Sequence, residues 1–147
     1  MKRILIVNNN MHIGGVQKAL LNLLEELRKD YDITLLLFYC GGELYNKLPD
    51  GIRVISAAKP FRCWGMSKDD TKTFSSRLLR AFWAGLTKLS GRAFSFRLAS
   101  LFQKRLSGFD AAISFLHSGP SRMFYGGCNE FVLDCVDAKK KFTFLHC

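Results

Sequence analysis

The sequence predicts an α/β fold, in which helices flank a parallel β-sheet. Apolar runs typical of buried strands alternate with segments of helical periodicity along the 147 residues, as expected for successive β-α-β units. The first apolar run is followed by a glycine pair and an amphipathic helix, an order found at the ligand-binding edge of open α/β sheets. With 48% hydrophobic residues, a chain of this length can bury a core as one domain.

The first strand and the helix after it form the clearest unit of the sequence. An unbroken apolar run from Ile4 to Val7 predicts a strand that is buried on both faces of the sheet. A helix is predicted after Gly14 and Gly15 because apolar residues then recur every three or four positions, with polar residues between them. The apolar positions are Val16, Ala19, Leu20, Leu23, Leu24 and Leu27, and the polar ones are Lys18, Asn22, Glu25 and Arg28.

Gly14 and Gly15 are candidate ligand-binding residues. Without side chains they would let backbone N–H groups approach a ligand, and the dipole of the following helix would favour an anion such as phosphate. The alternative is a tight connection without a ligand, since paired glycines are common in turns. Two standard nucleotide sites are excluded, because neither a G-x-G-x-x-G fingerprint nor a G-x-x-x-x-G-K-[ST] loop follows a strand.

Two further buried strands are predicted in the first third of the chain. They cover residues 31–39 and 52–55, and between them lie a glycine pair, a short helical segment at 43–48 and a Pro-Asp-Gly turn. Strands and helices at this spacing predict a Rossmann-like parallel sheet.

Residues 59–106 differ in composition and form a predicted basic helical insert. Eleven Lys and Arg residues between 59 and 105 stand against Asp69 and Asp70, so this segment has a net charge of +9 out of the chain's +10. The periodicity predicts two helices separated by Ser90 and Gly91, each with an apolar face turned inward and a basic face turned outward. The inward residues are Leu78, Leu79, Phe82, Trp83, Leu86 and Leu89 in the first helix and Phe94, Leu98, Leu101, Phe102 and Leu106 in the second.

The sheet is predicted to resume after the insert. A strand covers residues 109–116, a helix starts near Pro120 and runs toward Val136 with an interruption at Gly126 and Gly127, and a last strand covers 141–146. No apolar run approaches the roughly 20 residues of a membrane-spanning helix, and the first apolar run is too short for a secretory signal. These features predict a cytoplasmic protein.

The cysteines predict reduced thiols rather than a disulfide framework or a metal site. The five are odd in number, scattered, and contain no C-x-x-C pair. A zinc site built from Cys135, His146 and Cys147 is conceivable, but its spacing matches no standard site, so no metal is predicted.

The order of these motifs resembles the N-terminal domain of family 4 retaining glycosyltransferases of the GT-B type. The resemblance is carried by the first strand with Gly14-Gly15-Val16 and its Leu-rich helix, by residues 109–115 after a long helical insert, and by residues 142–146. It implies that residues 1–147 form an acceptor-side domain facing a donor-binding domain that this chain lacks. The implied reaction moves a sugar from a nucleotide-sugar donor to a saccharide or lipid-linked acceptor, in cell-surface polysaccharide or glycolipid synthesis. No cofactor is implied, and this half alone would be inactive.

The resemblance also assigns roles to individual residues. Gly14 and Gly15 would face the donor phosphates or the acceptor, and His146 would be a catalytic residue near the reacting sugar. His117, at the end of the preceding strand, would lie at the same edge of the sheet. The alternative for each histidine is a loop residue that only forms hydrogen bonds. Gln17 stands where such sequences commonly have Glu, so the resemblance implies no charge there.

The basic insert predicts contact with an anionic membrane surface, and hence peripheral attachment to the inner face of the plasma membrane. The alternative is that its apolar residues are ordinary core and its charges a solvated face. A nucleic-acid-binding module is a rival class, but no RRM, KH or zinc-finger pattern is present, so no nucleic acid is expected. A stand-alone sugar- or nucleotide-binding protein is a third. The residues expected to contact the anionic partner are Arg62, Trp64, Arg77, Arg80, Lys88 and Arg92.

Overall fold

The protein is an α/β fold built on one five-stranded, all-parallel sheet with the strand order β3-β2-β1-β4-β5, which confirms the predicted Rossmann-like class. A computed structural model describes residues 1–117, 119–124 and 126–145. The strands are β1 (Arg3–Asn8), β2 (Asp32–Leu37), β3 (Arg53–Ser56), β4 (Leu106–Ser114) and β5 (Val136–Thr143). The helices are α1 (Gly15–Leu27), α2 (Lys59–Gly65), α3 (Phe74–Ser90), α4 (Arg92–Ser100) and α5 (Cys128–Cys135).

Helices cover both faces of the sheet, so two apolar clusters form the core. Because side chains alternate along a strand, Ile4 and Ile6 lie in one cluster with Leu20 and Leu24 of α1, while Leu5 and Val7 point the other way. The second cluster contains the aromatic side chains of the other helices: Phe61 and Trp64 of α2, Trp83 of α3, Phe96 of α4 and Phe131 of α5. This double burial explains why the central strands are apolar without interruption.

The apolar face of α1 is largely as predicted, with one exchange. Leu20 and Leu24 are fully buried, but Ala19 is exposed and Gln17 is buried. Gln17 is held by the asparagines that follow β1, since its Nε2 lies 3.4 Å from Oδ1 of both Asn9 and Asn10. Polar contacts at the first turn therefore override the apolar pattern there.

The basic insert contains three helices rather than two, and it packs differently from the prediction. The additional helix, α2, buries Phe61 and Trp64, so Trp64 belongs to the core and not to the surface on which we expected it. On α3 the side that meets the core carries Trp83 and Thr87, where Trp83 packs 5.4 Å from the ring of Trp64. The Oγ1 atom of Thr87 lies 2.8 Å from Oγ of Ser95 on α4.

Most residues predicted to face inward on α3 and α4 are exposed. The core side of α4 carries Phe96 and Ala99 instead, and Leu106 lies in β4 because the helix ends at Ser100. On α3, periodicity placed Trp83 correctly in the core but assigned most of the apolar stripe to the wrong environment. On α4 the predicted stripe extends past the end of the helix at Ser100. The exposed residues are Leu78, Leu79, Phe82 and Leu89 on α3, and Phe94, Leu101 and Phe102 on and just after α4.

The region after β4 also differs from the prediction. Residues 119–124 form an irregular loop rather than a helix starting at Pro120, and α5 begins only after Gly127. Arg92 organises this loop from inside: its guanidinium donates to the carbonyls of Gly119 (2.9 Å) and Pro120 (3.1 Å), and it pairs with Glu130 at 2.9 Å. Its side chain is only 3% exposed, so the prediction of a surface contact by Arg92 was wrong.

The last strand starts earlier than predicted because α5 passes directly into it. Val136 is buried and pairs with Leu106, and the ladder ends at Ser114 opposite Thr143. Beyond its first residue β5 is mostly exposed and carries three consecutive lysines, as is common for an edge strand.

Candidate functional site

Three loops converge at the carboxyl edge of β1 and β2, next to the point where the strand order reverses between β1 and β4. They are residues 9–14 after β1, residues 38–44 after β2, and residues 66–73 between α2 and α3. We call them the edge loops. In open α/β sheets this position is the usual ligand-binding crevice.

Backbone hydrogen bonds hold the first two edge loops together. The N–H of Met11 donates to the carbonyl of Gly41 and the N–H of Leu44 donates to the carbonyl of Met11, both at 2.9 Å. The N–H of Tyr39 donates to the carbonyl of Asn9, also at 2.9 Å. The two loops thus continue the pairing of their strands beyond the sheet.

A buried asparagine network connects these loops to the end of α2. Asn10 donates from Nδ2 to the carbonyl of Gly65 at 2.7 Å, and its Oδ1 accepts the N–H of His12 at 3.1 Å. Asn8 donates from Nδ2 to the carbonyl of Asn10 at 2.9 Å. The three successive asparagines at the end of β1 and just after it are therefore structural groups that fix the loop carrying His12.

Two glycines permit this close packing. Gly42 adopts φ +117°, and a Cβ there would lie 2.2 Å from the carbonyl carbon of Met11. A Cβ on Gly65 would lie 2.7 Å from the carbonyl oxygen of Asn9. Contacts this short with backbone atoms require that both positions lack a side chain.

His12 is the centre of the site, between two carboxylates from the other two edge loops. Its Nδ1 lies 3.1 Å from Oε2 of Glu43, and its Nε2 lies 2.7 Å from Oδ2 of Asp70. The ring stacks against Tyr39 at a centroid distance of 6.3 Å. Partial burial lowers the pKa of His12, but the hydrogen bonds and charges of Asp70 and Glu43 outweigh it, so the pKa is raised above 6.5.

The two carboxylates are themselves held in place. Asp70 accepts hydrogen bonds from the N–H (2.8 Å) and Oγ (2.9 Å) of Ser67, and Glu43 accepts the N–H of Ile13 at 3.1 Å. Although burial opposes ionisation of Asp70, these donors and His12 lower its pKa. Hydrogen bonds, first from its own backbone and then from His12, lower the pKa of Glu43. At neutral pH the site therefore contains two carboxylates and an imidazole that readily becomes a cation.

Gly14 and Gly15 begin helix α1 beside this group. Gly14 is the N-cap with extended backbone, and its carbonyl accepts the N–H of Lys18 at 3.1 Å. Within the part of the chain that the structure describes, no acceptor receives the N–H groups of residues 14–17. A Cβ on Gly15 would meet nothing within 4 Å, so the helix end is open beside Gly15, whereas the side chain of Gln17 lies against Gly14.

The sheet also brings His117 to this edge, since β4 pairs with β1 in parallel. Its side chain is exposed, and no hydrogen bond joins it to another described residue. His146, the predicted catalytic residue, lies outside the described residues.

Sequence reasoning missed the group that the structure brings together most closely. His12, Glu43 and Asp70 lie on three separate loops. Glu43 is 31 positions and Asp70 is 58 positions away from His12 along the chain. Only the position of His12 directly after a buried strand was available as a signal, because nothing in the local pattern identifies Glu43 or Asp70 as its partners.

The predicted anion-contact residues differ in exposure. Arg62, Arg77 and Lys88 are exposed, whereas Trp64 and Arg92 are buried. Arg80 is half-buried, and its guanidinium lies 5.1 Å from the centre of the Phe124 ring.

The cysteines have the environment of structural thiols. Cys63, Cys128 and Cys135 are buried and Cys40 partly so, and all four are free. Burial raises the pKa of each, that of Cys135 to about 12, so none is poised as a thiolate. Among the described residues no group of His, Cys, Asp and Glu could hold a metal ion, and no helix is long and apolar enough to cross a membrane.

Comparison with known proteins leaves the function to be inferred from this geometry. Neither a scan against protein-family models nor a search of curated proteins found a match for this chain.

Proposed function

We propose that this chain is the acceptor-side domain of a GT-B glycosyltransferase, which moves a sugar from a nucleotide-sugar donor to a saccharide or lipid-linked acceptor. The observation that carries the proposal is the arrangement of His12, Glu43 and Asp70 beside the open N-terminus of α1, at the carboxyl edge of a Rossmann-like sheet. The motif order of the sequence is the second support.

The charge of the edge loops favours an acceptor rather than the donor diphosphate. Even when His12 is protonated, the carboxylates of Glu43 and Asp70 give the three residues a net negative charge, which repels a diphosphate. Hydroxyl groups suit it better, because they can donate to the carboxylate of Glu43. Both ring nitrogens of His12 already face carboxylates. Glu43 is 60% exposed and is therefore available to an incoming sugar.

The chemistry requires an acceptor hydroxyl held in line with an activated sugar. In the proposed reaction, Glu43 binds and orients the acceptor, His12 positions Glu43 through Nδ1, and Asp70 positions His12 through Nε2. The unpaired N–H groups at Gly14 and Gly15 would donate hydrogen bonds to a second polar group of the acceptor, or to the donor sugar at the boundary with a facing domain. Closure of that domain over the edge loops would exclude water from the donor.

The test is a comparison of acceptor-dependent and acceptor-independent turnover. The complete gene product is incubated with UDP- and GDP-hexoses, with and without an oligosaccharide and lipid-extract panel, and nucleoside diphosphate release is measured. Glu43→Gln is expected to lower acceptor-dependent kcat/KM by at least about tenfold, since it weakens a hydrogen bond to a charged group. It should leave slow donor hydrolysis unchanged.

Glu25→Gln is the matched control, because Glu25 is an exposed α1 carboxylate that pairs with Arg28 at the C-terminal end of the helix. It should leave both rates unchanged. Absence of nucleoside diphosphate release with every donor would overturn the proposal. Sugar transfer by residues 1–147 alone would overturn the assignment of the donor site to a second domain.

A further inference from the structure

Helix α3 exposes an apolar stripe along its outer side. Phe74, Leu78, Phe82 and Leu89 are 81%, 61%, 57% and 81% exposed. At 100° per residue these positions fall within one narrow sector, opposite the sector of Trp83 and Thr87 that packs on the core. Isolated exposed apolar residues are ordinary, but a continuous stripe of large side chains along one helix marks an interaction surface.

Cations flank the stripe on both sides. Arg77 and Lys88 follow one side of it along α3, and Lys59, Arg62 and Lys72 lie beyond the other side. In the described part of the chain none of these five side chains forms an ion pair, and helices α2, α3 and α4 contain no acidic residue. The face presented by this segment is therefore both apolar and strongly positive.

The second group of cations surrounds a pocket at the start of α3. The pocket has a volume of about 350 Å³ and is lined by Lys59, Arg62 and Lys72, by hydroxyl-bearing residues of the first turn of α3, and by Leu79 at its apolar end. Leu79 also lines a shallow apolar depression formed with Leu78 and Phe82. A molecule with an anionic head and an apolar tail could contact both at once.

The charge and apolar character of this surface distinguish between possible binding partners. A second copy of the chain would bring together two segments that each have a net charge of +9, which Coulomb repulsion disfavours. Nucleic acid would neutralise the charge, and its bases can stack on the rings of Phe74 and Phe82, but it would leave the aliphatic side chains of Leu78 and Leu89 in water. An anionic bilayer satisfies both features, because it takes apolar side chains to the depth of its acyl boundary and cations at its phosphates.

We propose that α3 lies flat on an anionic phospholipid surface, with the stripe of Phe74, Leu78, Phe82 and Leu89 immersed and the pocket of Lys59, Arg62 and Lys72 holding a lipid phosphate. The inference is independent of sugar transfer. It differs from the sequence-based expectation in its contact residues, since Trp64 and Arg92 are buried and the stripe residues replace them.

The first experiment uses tryptophan fluorescence of a Phe82→Trp variant. Both native tryptophans are buried in the core and provide a constant background, so a blue shift on adding vesicles reports immersion of position 82. Vesicles of phosphatidylcholine with 30% phosphatidylglycerol should produce the shift, and phosphatidylcholine alone should not. Leu133→Trp, at an exposed position of α5, is the matched control and should not shift.

Cosedimentation with the same vesicles separates the two components of the surface. Leu78→Ser with Phe82→Ser should weaken partitioning by at least about tenfold, because each change removes several buried carbon atoms. Substitution of Lys59, Arg62 and Lys72 by Gln should weaken it by about a hundredfold at low salt. The matched control replaces three exposed lysines elsewhere, Lys18, Lys47 and Lys140, and leaves most of the affinity intact despite the same loss of charge.

Three outcomes would overturn the proposal. One is the absence of binding to anionic vesicles at 0.1 M salt. Another is equal weakening by the pocket and the control substitutions, which would mean that net charge alone attracts the protein. The last is binding of single-stranded RNA at that salt concentration by wild type and by the Leu78→Ser, Phe82→Ser variant alike, with no blue shift of Phe82→Trp on vesicles.

Discussion

Nε2 of His12 lies 2.7 Å from Oδ2 of Asp70, although 58 positions separate the two residues in the chain. This contact joins the loop after β1 to the segment that leads into α3. With Glu43 on the other ring nitrogen, the imidazole links all three edge loops. The protonation state of His12 therefore affects both the charge of the candidate site and its rigidity.

Stability should depend on His12 most strongly in mildly acidic solution. The folded pKa of His12 is raised above its unfolded value of 6.5, so its stabilisation is fully present below pH 6.5 and is lost as pH rises through the folded pKa. Asp70 and Glu43 have lowered pKa values and remain ionised at pH 6. In urea unfolding, His12→Gln should be less stable than wild type by about 1 kcal/mol at pH 6, and the difference should shrink toward pH 9.

His117→Gln provides the control for that measurement. His117 is exposed and has no hydrogen-bond partner among the described residues, so its replacement should change the unfolding free energy by less than about 0.5 kcal/mol at either pH. A His12→Gln difference that grows with pH would contradict the charged state assigned to His12.

The close approach of the first two edge loops predicts a large effect of Gly42→Ala. Gly42 combines φ +117° with a backbone contact that leaves no room for a Cβ, whereas Gly51 has φ +85° and open space around it. We expect Gly51→Ala to cost about 1 kcal/mol for conformation alone, and Gly42→Ala about 3 kcal/mol because steric displacement is added. Urea unfolding of the two variants measures the difference, and equal costs would show that the loops separate easily.

Features that depend on local sequence could be predicted, and features that depend on tertiary contacts could not. The buried strands could be predicted from sequence because an apolar run such as Ile4 to Val7 has few other stable environments. The orientation of α3 could not, because its amphipathic pattern fits equally a helix packed by its stripe and one that exposes it. Two tertiary contacts determine which side of α3 faces the core: the packing of Trp83 on Trp64 and the hydrogen bond between Thr87 and Ser95.

The sequence predicted where in the fold the candidate site lies, but not which residues form it. A strand followed by glycines indicated the edge of the sheet, and the structure has its polar group there. The partners of His12 come from loops whose sequences contain ordinary surface residues, and only the folded sheet brings them together. The opposite error arose at Arg92, where a basic residue in a basic segment predicted a surface contact but the guanidinium instead satisfies buried carbonyls.

Gly15→Ala should affect ligand binding at the start of α1 without lowering the stability of the fold. A Cβ at this position meets no atom within 4 Å and the backbone is not left-handed, so the substitution should keep or slightly raise stability, by up to about 1 kcal/mol. If the open N–H groups contact a ligand, the same methyl group should lower the acceptor-dependent kcat/KM that the proposed function predicts for the complete gene product. Full activity together with unchanged stability would mean that no ligand reaches this helix end.

Arg92→Met should destabilise the protein because it removes a buried charge that holds the loop after β4. Arg92 is 3% exposed, donates to the carbonyls of that loop and pairs with Glu130. Removing one member of a buried ion pair and leaving several carbonyls without donors should cost about 3 kcal/mol in urea unfolding. Hydrogen exchange of residues 119–124 should accelerate in the same variant, and Glu130→Gln should reproduce a smaller part of both effects.

Arg105→Met is the matched control, since Arg105 pairs with Asp137 in an exposed position and its loss should leave stability unchanged. If the Arg92 and Arg105 variants were equally stable, the loop would be held by its own backbone and not by the guanidinium.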